Sequence, residues 1–290
     1  MRKIILIIGS NGMAGHVISE YLSTFQDLSI IRVARDNFNL KINYSLDVTN
    51  FHETQKLINK LRPTIVINAI GILNNDAEEN PEKAILINSY FPHFLAKACT
   101  AVSATLIHIS TDCVFSGKKG DYLENDLKDG IGFYAQSKAL GEVMYNKHIT
   151  IRTSIIGPDL KQNGIGLLNW VLQQKNSITG YSEAYWGGVT TLELAKSINY
   201  IIRQDDFKLN LIHLTNSKKI SKLNLIEIIN NIFSLKLKIY SSNEYKVDKS
   251  LVSTSNEFIY CVPSYNKMIE EIYQWVLNHK ELYRHYQIKD

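Results

Sequence analysis

The chain has 290 residues, of which 45% are hydrophobic and 21% charged, so it can bury a sizeable core, which excludes a disordered chain. A net charge of +4, without an arginine-rich tract or a lysine stripe, excludes a dedicated nucleic-acid-binding protein. Three cysteines without a CxxC pair predict no disulfide framework, and the first apolar run is too short for a signal peptide or a membrane span, so we expect a cytoplasmic protein without membrane contact.

The first 153 residues alternate short β-branched runs with longer amphipathic stretches. This pattern is typical of a parallel sheet with helices on both faces. The predicted strands are 3–8, 29–33, a short strand near 45, 64–68, 105–109 and 150–153. The predicted helices are 13–25, 51–61, 81–101 and 134–146.

A different pattern begins after residue 153, with an irregular stretch, a predicted helix at 167–174 and a turn-rich segment at 181–188. A helix at 191–203 and a strand at 209–215 are predicted to return to the main sheet, and helices at 223–233 and 265–279 close the second unit. We therefore predict an α/β fold. Its doubly wound parallel sheet comprises residues 1–155 and 188–216, and a smaller α/β substrate-binding lobe comprises 156–187 and 217–290.

A GxxGxxG loop directly follows the first predicted strand and opens the first predicted helix. Glycines permit a tight turn and let a pyrophosphate approach the backbone, while the helix N-terminus offers free N–H groups to phosphate. A plain glycine turn is the alternative, but the strand before the loop and the helix after it favour a dinucleotide. We predict cofactor contacts at Gly9, Asn11, Gly12, Met13 and Gly15.

The end of the second predicted strand bears on the choice of cofactor. An acidic residue there usually holds the adenosine ribose of NAD, but this chain has Ala34 followed by Arg35. A cation without a facing carboxylate suits a ribose 2′-phosphate, so we predict a preference for NADPH. A shift of one residue would place Asp36 there and restore NADH. Asp47 and Val48, after the third strand, are either adenine contacts or turn residues.

Three side chains with complementary chemistry follow the fifth predicted strand and begin the next helix. Thr111 ends that strand, and Tyr134 and Lys138 lie one helical turn apart 23 residues later. Because open α/β sheets place their sites at the carboxyl ends of strands, we expect the three to converge. A second YxxxK match, at Tyr245 and Lys249, precedes no periodic helix, so we predict that it lies on the surface.

These residue types fit the reduction of a ketone. When the carbonyl carbon receives hydride, its oxygen needs a proton, which the phenol of Tyr134 can supply. Lys138 would lower the phenol pKa and hold the nicotinamide ribose, and Thr111 would donate a hydrogen bond to the carbonyl oxygen. We predict Thr111, Tyr134 and Lys138 as the catalytic group, with Tyr134 and Lys138 also contacting the cofactor.

The chain resembles the extended short-chain dehydrogenases/reductases, and within them the dTDP-4-dehydrorhamnose reductase branch. The motifs that carry the resemblance are GSNGMAG (9–15), LDVT (46–49), NAIG (68–71), HISTDCVFSG (108–117), YLEND (122–126), YAQSKALGE (134–142) and IRTSIIGP (151–158). The resemblance implies a Rossmann-type domain, a nucleotide-sugar-binding lobe and a homodimer. It also implies reduction of the C4 ketone of a 4-keto-6-deoxy nucleotide sugar, and cofactor contacts at Asn68, Ala69 and Ile70.

Cys113 departs from the pattern of related activities. The 4,6-dehydratase relatives carry Asp then Glu after the active-site Thr, so Cys113 argues against water elimination. Relatives that epimerise GDP-sugars pair a cysteine here with a histidine, but no histidine lies between His148 and His213. We expect Cys113 to be a packed, inert thiol that contacts substrate.

Substrate contacts in the second unit are predicted less sharply. Arg152 offers charge to a diphosphate, or forms an internal ion pair, and Trp186 offers a stacking surface, or belongs to the core. The eight histidines lack paired-ligand spacing, so we predict no metal. The sequence leaves three alternatives open: a 4-reductase for a UDP-2-acetamido-2,6-dideoxy-4-keto-hexose, a sugar-nucleotide epimerase, and a non-catalytic regulatory subunit. The expected products would feed surface polysaccharide synthesis.

Overall fold

A computed structural model of the chain describes residues 2–36, 41–204, 208–216 and 218–288. The strands within these ranges are β1 (Lys3–Ile8), β2 (Leu28–Ala34), β3 (Tyr44–Ser45), β4 (Ile65–Asn68), β5 (Thr105–Ile109), β6 (Ile149–Arg152), β7 (Ile155–Ile156), β8 (Ser177–Tyr181), β9 (Ala184–Trp186), β10 (Val189–Thr190), β11 (Leu211–His213), β12 (Ile220–Ser221), β13 (Lys238–Ser242) and β14 (Val247–Asp248).

The helices of the same ranges are α1 (Met13–Ser23), α2 (Phe51–Leu61), α3 (Asn74–Glu79), α4 (Pro81–Ala84), α5 (Phe91–Ala101), α6 (Phe133–Leu140), α7 (Leu167–Leu172), α8 (Thr191–Arg203), α9 (Lys222–Ile232) and α10 (Tyr265–Asn278). A π-helical turn, Ile85–Tyr90, joins α4 to α5, and a short 3-10 turn, Asp112–Val114, follows β5.

The main sheet has the strand order β3-β2-β1-β4-β5-β6-β11, and all of its pairings are parallel. The strand order reverses between β1 and β4, so chain segments leave these two strands in opposite directions. Such a reversal opens a crevice at the carboxyl ends of the strands, where ligands bind in this class of sheet. The predicted α/β fold with a Rossmann-type doubly wound sheet is confirmed.

The core lies on both faces of this sheet because successive side chains of a strand point to opposite sides. In β1, Ile5 and Ile7 pack into a cluster that includes residues of α1 and α8. Leu6 and Ile8 pack into the opposite cluster, with residues of α2 and α5. All four side chains are at most 1% exposed. This two-sided burial explains why the strand reads as one continuous apolar run.

Smaller sheets form in the second half of the chain. Strand β8 pairs with β13, β9 lies between β12 and β14, and β7 pairs with β10. The sequence pattern predicts none of these short strands. Their burial pattern depends on partners far along the chain. The division of the chain into two units stays a prediction, and Met1, Ser217 and Asp290, at its boundaries, lie outside the described residues.

Two predicted helices differ from the structure where the π-helical turn meets α6. The helix predicted at 81–101 is interrupted by this turn, whose Asn88 and Ser89 donate hydrogen bonds to the Ser137 hydroxyl and carbonyl oxygens, at 3.0 and 2.8 Å. The helix predicted to reach residue 146 ends at Leu140, with Gly141 as its C-cap. The turn thus supports the helix that carries Tyr134 and Lys138.

The contact between Gly141 and Asn88 leads to a stability prediction. A Cβ on Gly141 would lie 1.7 Å from the Asn88 carbonyl oxygen, whereas a Cβ on Gly71 would lie 3.6 Å from the Asn88 side-chain oxygen. We expect Gly141→Ala to destabilise the fold by about 1–3 kcal/mol or more, because backbone must move, and Gly71→Ala to be nearly neutral. Urea unfolding measures both variants. Equal midpoints would contradict the expected strain.

Candidate active site

The glycine-rich loop makes a turn that only small residues permit. The N–H groups of Gly9 and Ser10 donate to the Val33 carbonyl oxygen of β2, at 2.9 and 3.1 Å, and Gly9 has φ = +90°. A Cβ on Gly15 would lie 2.1 Å from the Gly9 carbonyl oxygen, and one on Gly12 would lie 3.3 Å from it. The loop therefore brings the first turn of α1 directly against the end of β1.

Polar groups at this loop fit a phosphate-bearing dinucleotide. The first turn of a helix has N–H groups without intrahelical acceptors, and in α1 this turn begins at Met13. The Ser10 hydroxyl and the Asn11 side-chain oxygen are buried without a hydrogen-bond partner. Because buried polar atoms are nearly always paired, these two groups indicate that the loop is built to receive a polar ligand. The residues present thus fit the predicted cofactor.

The end of β2 presents a cation beside this loop. Ala34 is buried and ends the strand, while Arg35 and Asp36 follow with exposed side chains. The Asn11 side-chain amide donates a hydrogen bond to the Asp36 carbonyl oxygen at 2.5 Å, which links the glycine-rich loop to this end of β2. Arg35 and Asp36 therefore both follow the end of β2 beside this loop, and their contact with the adenosine ribose stays a prediction.

The other predicted cofactor residues follow β3 and β4, which β2 and β1 separate in the sheet. Asp47 is exposed and forms a turn: its carboxylate accepts hydrogen bonds from the N–H and hydroxyl of Thr49, which lower the pKa of Asp47. Val48 is buried. After β4, Ala69 and Ile70 lie against Gly9, since a Cβ on Gly9 would be 2.7 Å from the Ile70 side chain.

Asn68 is the exception among these residues because its side chain is wholly buried. Its amide contacts His108 Nδ1 at 3.0 Å, and its side-chain oxygen accepts a hydrogen bond from the Ile70 N–H at 3.2 Å. Asn68 therefore shapes the turn after β4 with a side chain that is already paired.

Thr111 and Tyr134 lie together at the end of β5, as predicted. The Thr111 hydroxyl donates to the Asp112 carboxylate at 3.1 Å and accepts from the Cys113 N–H at 3.1 Å. Burial raises the pKa of Tyr134, Cys113 adds to this rise, and the Thr111 side chain opposes it as a hydrogen-bond partner. The phenol therefore keeps its proton at neutral pH and can act as a donor.

Lys138 is buried one turn further along α6. Its ammonium donates to the Ile109 carbonyl oxygen at 2.8 Å and lies 3.4 Å from His108 Nε2. Burial lowers the pKa of Lys138 to about 8, and Glu142 opposes this shift. The expected lowering of the Tyr134 pKa by Lys138 is wrong for this arrangement, because desolvation of the phenol dominates and raises its pKa.

A lysine that our sequence analysis assigned to the surface belongs to this site. Lys249, next to β14, is half-buried, and its side chain opposes the rise that burial causes in the pKa of Cys113. Its charge lowers the pKa of Asp112, although burial dominates and raises it. Burial likewise raises the pKa of Cys113 to about 11, so the thiol stays protonated. In the sequence, Lys249 stands out only because it follows Tyr245 by four residues. Tyr245 is exposed, and the groups that Lys249 influences are Cys113 and Asp112.

The structure corrects the substrate role predicted for Arg152. Its guanidinium is 2% exposed and makes two hydrogen bonds to the Glu142 carboxylate, at 2.6 and 2.7 Å. It also donates to the Glu124 carbonyl oxygen at 2.9 Å and stacks over Phe115 at 5.3 Å. Arg152 therefore forms the internal ion pair that was the alternative, because a charge can be buried when a carboxylate faces it.

Trp186 is also corrected, from a stacking surface to the core. Its side chain is 5% exposed, packs against Tyr265 with ring centroids 5.6 Å apart, and belongs to the larger hydrophobic cluster. A Cβ on Gly188 would lie 2.6 Å from the Trp186 ring, so the glycine pair after the indole makes room for it. Its large apolar area explains this burial.

Two kinds of feature are absent from the part of the chain that the structure describes. Within it, no group of three or more His, Cys, Asp or Glu side chains could hold a metal ion. None of the helices in the same ranges is long and apolar enough to cross a membrane.

Known proteins resemble this chain in both sequence and fold. Residues 1–253 match the family described as the RmlD substrate binding domain. This chain belongs to that family. The dTDP-4-dehydrorhamnose reductase of Escherichia coli K12 is 33% identical over 157 residues, which are 52% of this chain and 50% of that protein. The chain thus spans about half the length of several relatives that it matches.

Solved structures resemble nearly the whole chain. A hypothetical dTDP-4-dehydrorhamnose reductase from Sulfolobus tokodaii is 26% identical, with a TM-score of 0.75 over 92% of this chain and 98% of that one. The dTDP-4-dehydrorhamnose reductase of Bacillus anthracis in complex with NADP is 22% identical, with a TM-score of 0.81 over 94% of this chain and 99% of that one. The second likeness supports the fold.

The burial of Lys138 leads to a prediction that needs no substrate. We expect the Lys138 ammonium to lose its proton as the pH rises through about 8, because desolvation lowers its pKa. NMR titration of chains labelled at the lysine ε-carbon measures this, and the resonance that disappears in Lys138→Arg assigns it. If that resonance titrated with the exposed lysines, the predicted desolvation would be wrong.

Proposed function

We propose that this chain reduces the C4 ketone of a 4-keto-6-deoxy nucleotide sugar with NADPH. The observation that carries the proposal is the placement of Thr111 and Tyr134 at the strand edge that also holds the glycine-rich loop. Relatives named as dTDP-4-dehydrorhamnose reductases, and one from Streptomyces niveus named as a dTDP-4-keto-6-deoxy-D-glucose reductase, support the substrate class. The NADP complex of the Bacillus anthracis structure supports the cofactor.

In this proposal NADPH, when bound, supplies the hydride that reduces the carbonyl carbon. Tyr134 delivers its phenolic proton to the carbonyl oxygen, and its raised pKa keeps it loaded with that proton beforehand. Thr111 positions the same oxygen. Because its hydroxyl hydrogen now points to Asp112, it must turn from that carboxylate toward the carbonyl oxygen.

Lys138 and the glycine-rich loop hold the cofactor. The ammonium of Lys138 is fixed by the Ile109 carbonyl oxygen and retains two further N–H donors for ribose hydroxyls. The loop N–H groups and the N-terminus of α1 hold the pyrophosphate. Cys113 and Lys249 face the same space from the substrate side, the thiol as a neutral surface and the lysine as a cation for polar groups of the sugar.

Arg35 is the basis of the proposed NADPH preference. We expect the chain to bind NADPH more tightly than NADH, and Arg35→Ala to weaken NADPH binding about 10- to 100-fold with NADH binding unchanged, because only the 2′-phosphate carries the charge that Arg35 meets. Titration of both cofactors measures this. Arg2→Ala, an exposed arginine that precedes β1 at the opposite sheet edge, is the control. Tighter binding of NADH would refute the preference.

The role of Tyr134 is tested by turnover. We expect NADPH to be consumed with a dTDP-linked or a UDP-2-acetamido-linked 4-keto-6-deoxy sugar, and Tyr134→Phe to lower kcat about 100- to 10,000-fold because the proton donor is lost. The dTDP sugar is our first choice because of the relatives' names. Tyr245→Phe removes an exposed phenol from the second YxxxK match and should retain full activity.

The result with two sugars separates the remaining alternatives. Tyrosine-dependent oxidation with one sugar would identify the substrate. If the chain bound NADPH but consumed it with neither sugar, the 4-reductase proposal would fail and a regulatory role would be favoured. A cytoplasmic location, a homodimer and a part in surface polysaccharide synthesis stay predictions.

A further inference from the structure

A buried hydrogen-bond chain joins the C-terminal segment to the glycine-rich loop. The Trp275 indole N–H donates to the Tyr283 hydroxyl at 3.0 Å. That hydroxyl lies 2.8 Å from His16 Nε2, and His16 Nδ1 lies 2.8 Å from the Gly12 carbonyl oxygen. His16 is fully buried and Tyr283 is 2% exposed, so water cannot replace these contacts. Our sequence analysis assigned no role to any of the three side chains.

For each hydrogen bond in this series, only one assignment of donor and acceptor is possible. The Gly12 carbonyl oxygen can only accept, so His16 Nδ1 carries the hydrogen. Burial lowers the pKa of His16 to about 4, so the ring is neutral and its Nε2 accepts. The Tyr283 hydroxyl must therefore donate to Nε2, and its oxygen accepts from Trp275. Each residue therefore donates to the next, from Trp275 of α10 to Tyr283, from Tyr283 to His16 and from His16 to Gly12.

The series of hydrogen bonds ends at Gly12, which helps to orient the glycine-rich loop. The Gly12 N–H donates to the Gly9 carbonyl oxygen at 2.9 Å, and the Gly12 carbonyl oxygen also accepts from the His16 N–H at 3.0 Å. Gly12 is the residue before the first turn of α1, and Ser10 and Asn11 beside it carry the unpaired polar atoms. A movement of Gly12 would therefore change the direction of the groups that face the cofactor.

The C-terminal segment that contains Tyr283 also supports a second loop, which contains Asp159 and Gly166 and lies beside the proposed cofactor site. The Tyr286 hydroxyl accepts a hydrogen bond from the Asp159 N–H at 2.9 Å. The Asp159 carboxylate lies against Gly166, where a Cβ would be 3.1 Å from Asp159 Oδ2 and 3.0 Å from Met13 Sδ. The rings of Tyr283 and Tyr286 stack 5.9 Å apart, so both links leave from one packed pair.

We propose that Tyr283 is a positioning residue for the cofactor, which holds the glycine-rich loop in its binding geometry through His16 and Gly12. This inference rests on the proposed NADPH-dependent function. Loss of the Tyr283 hydroxyl would leave His16 Nε2 buried without a donor, and a change of tautomer to relieve this would remove the bond to Gly12. Loss of the Tyr283 hydroxyl therefore destabilises the glycine-rich loop as well as the C-terminal segment.

The test is the affinity of the full-length chain for NADPH in two matched variants. Tyr283→Phe removes the linking hydroxyl. Tyr265→Phe removes the hydroxyl of another buried tyrosine, which donates to the Lys218 and Trp186 carbonyl oxygens instead. We expect Tyr283→Phe to raise the Kd of NADPH about 5- to 50-fold and its KM similarly, with kcat nearly unchanged, and Tyr265→Phe to leave the Kd within about twofold.

Unfolding midpoints of both variants separate a binding effect from a general loss of stability. Similar midpoints with a higher Kd only in Tyr283→Phe would support the inference. An unchanged Kd in Tyr283→Phe would overturn it while leaving the proposed function intact. If Tyr283→Phe did not fold, His16→Leu would remove the link to the Gly12 carbonyl oxygen directly, and an unchanged Kd there would likewise overturn the inference. Failure of the unaltered chain to bind NADPH would refute the proposed function and this inference together.

Discussion

The approach of Gly15 to Gly9 is the constraint on which the placement of the site depends. With a Cβ on Gly15 only 2.1 Å from the Gly9 carbonyl oxygen, any larger residue would push α1 away from the end of β1. Because both positions lack a side chain, the helix begins at once and its N-terminus lies at the crevice between β1 and β4. Thr111 follows β5 at the same edge. The glycine-rich loop and the proposed proton donor Tyr134 therefore share one crevice.

Burial then determines the charge state of the groups in that crevice. It raises the pKa of the Tyr134 phenol and the Cys113 thiol and lowers that of the Lys138 ammonium, so each is moved toward its neutral form. A neutral phenol is a proton donor, and a neutral thiol is a poor nucleophile. This favours reduction with protonation over an epimerisation that uses Cys113 as a base. Among these groups, Lys138 alone has a pKa near neutrality.

Local patterns predicted the parts of the molecule that local physics determines. The apolar runs of β1 and β5 need burial on both faces, and the glycines after β1 need a tight turn, so sequence alone located the sheet and the glycine-rich loop. The end of α6 depends on a backbone contact with Asn88, and the burial of Trp186 depends on Tyr265, 79 positions away. Lys249 reaches the site from another part of the chain. Contacts between residues that are far apart in the chain leave no periodic pattern in the sequence.

Arg152 shows how a residue can serve the site without touching a ligand. Glu142 accepts hydrogen bonds from Arg152, from Lys128 at 3.1 Å and from the Ser110 hydroxyl at 2.9 Å. Arg152 and Lys128 lower the pKa of Glu142 despite its burial. Ser110 precedes Thr111, and Glu142 lies just beyond α6, which carries Tyr134. A buried carboxylate without Arg152 would be costly, so the pair holds its geometry firmly. Arg152 therefore acts through Glu142, which links Ser110, just after β5, to the end of the helix that bears Tyr134.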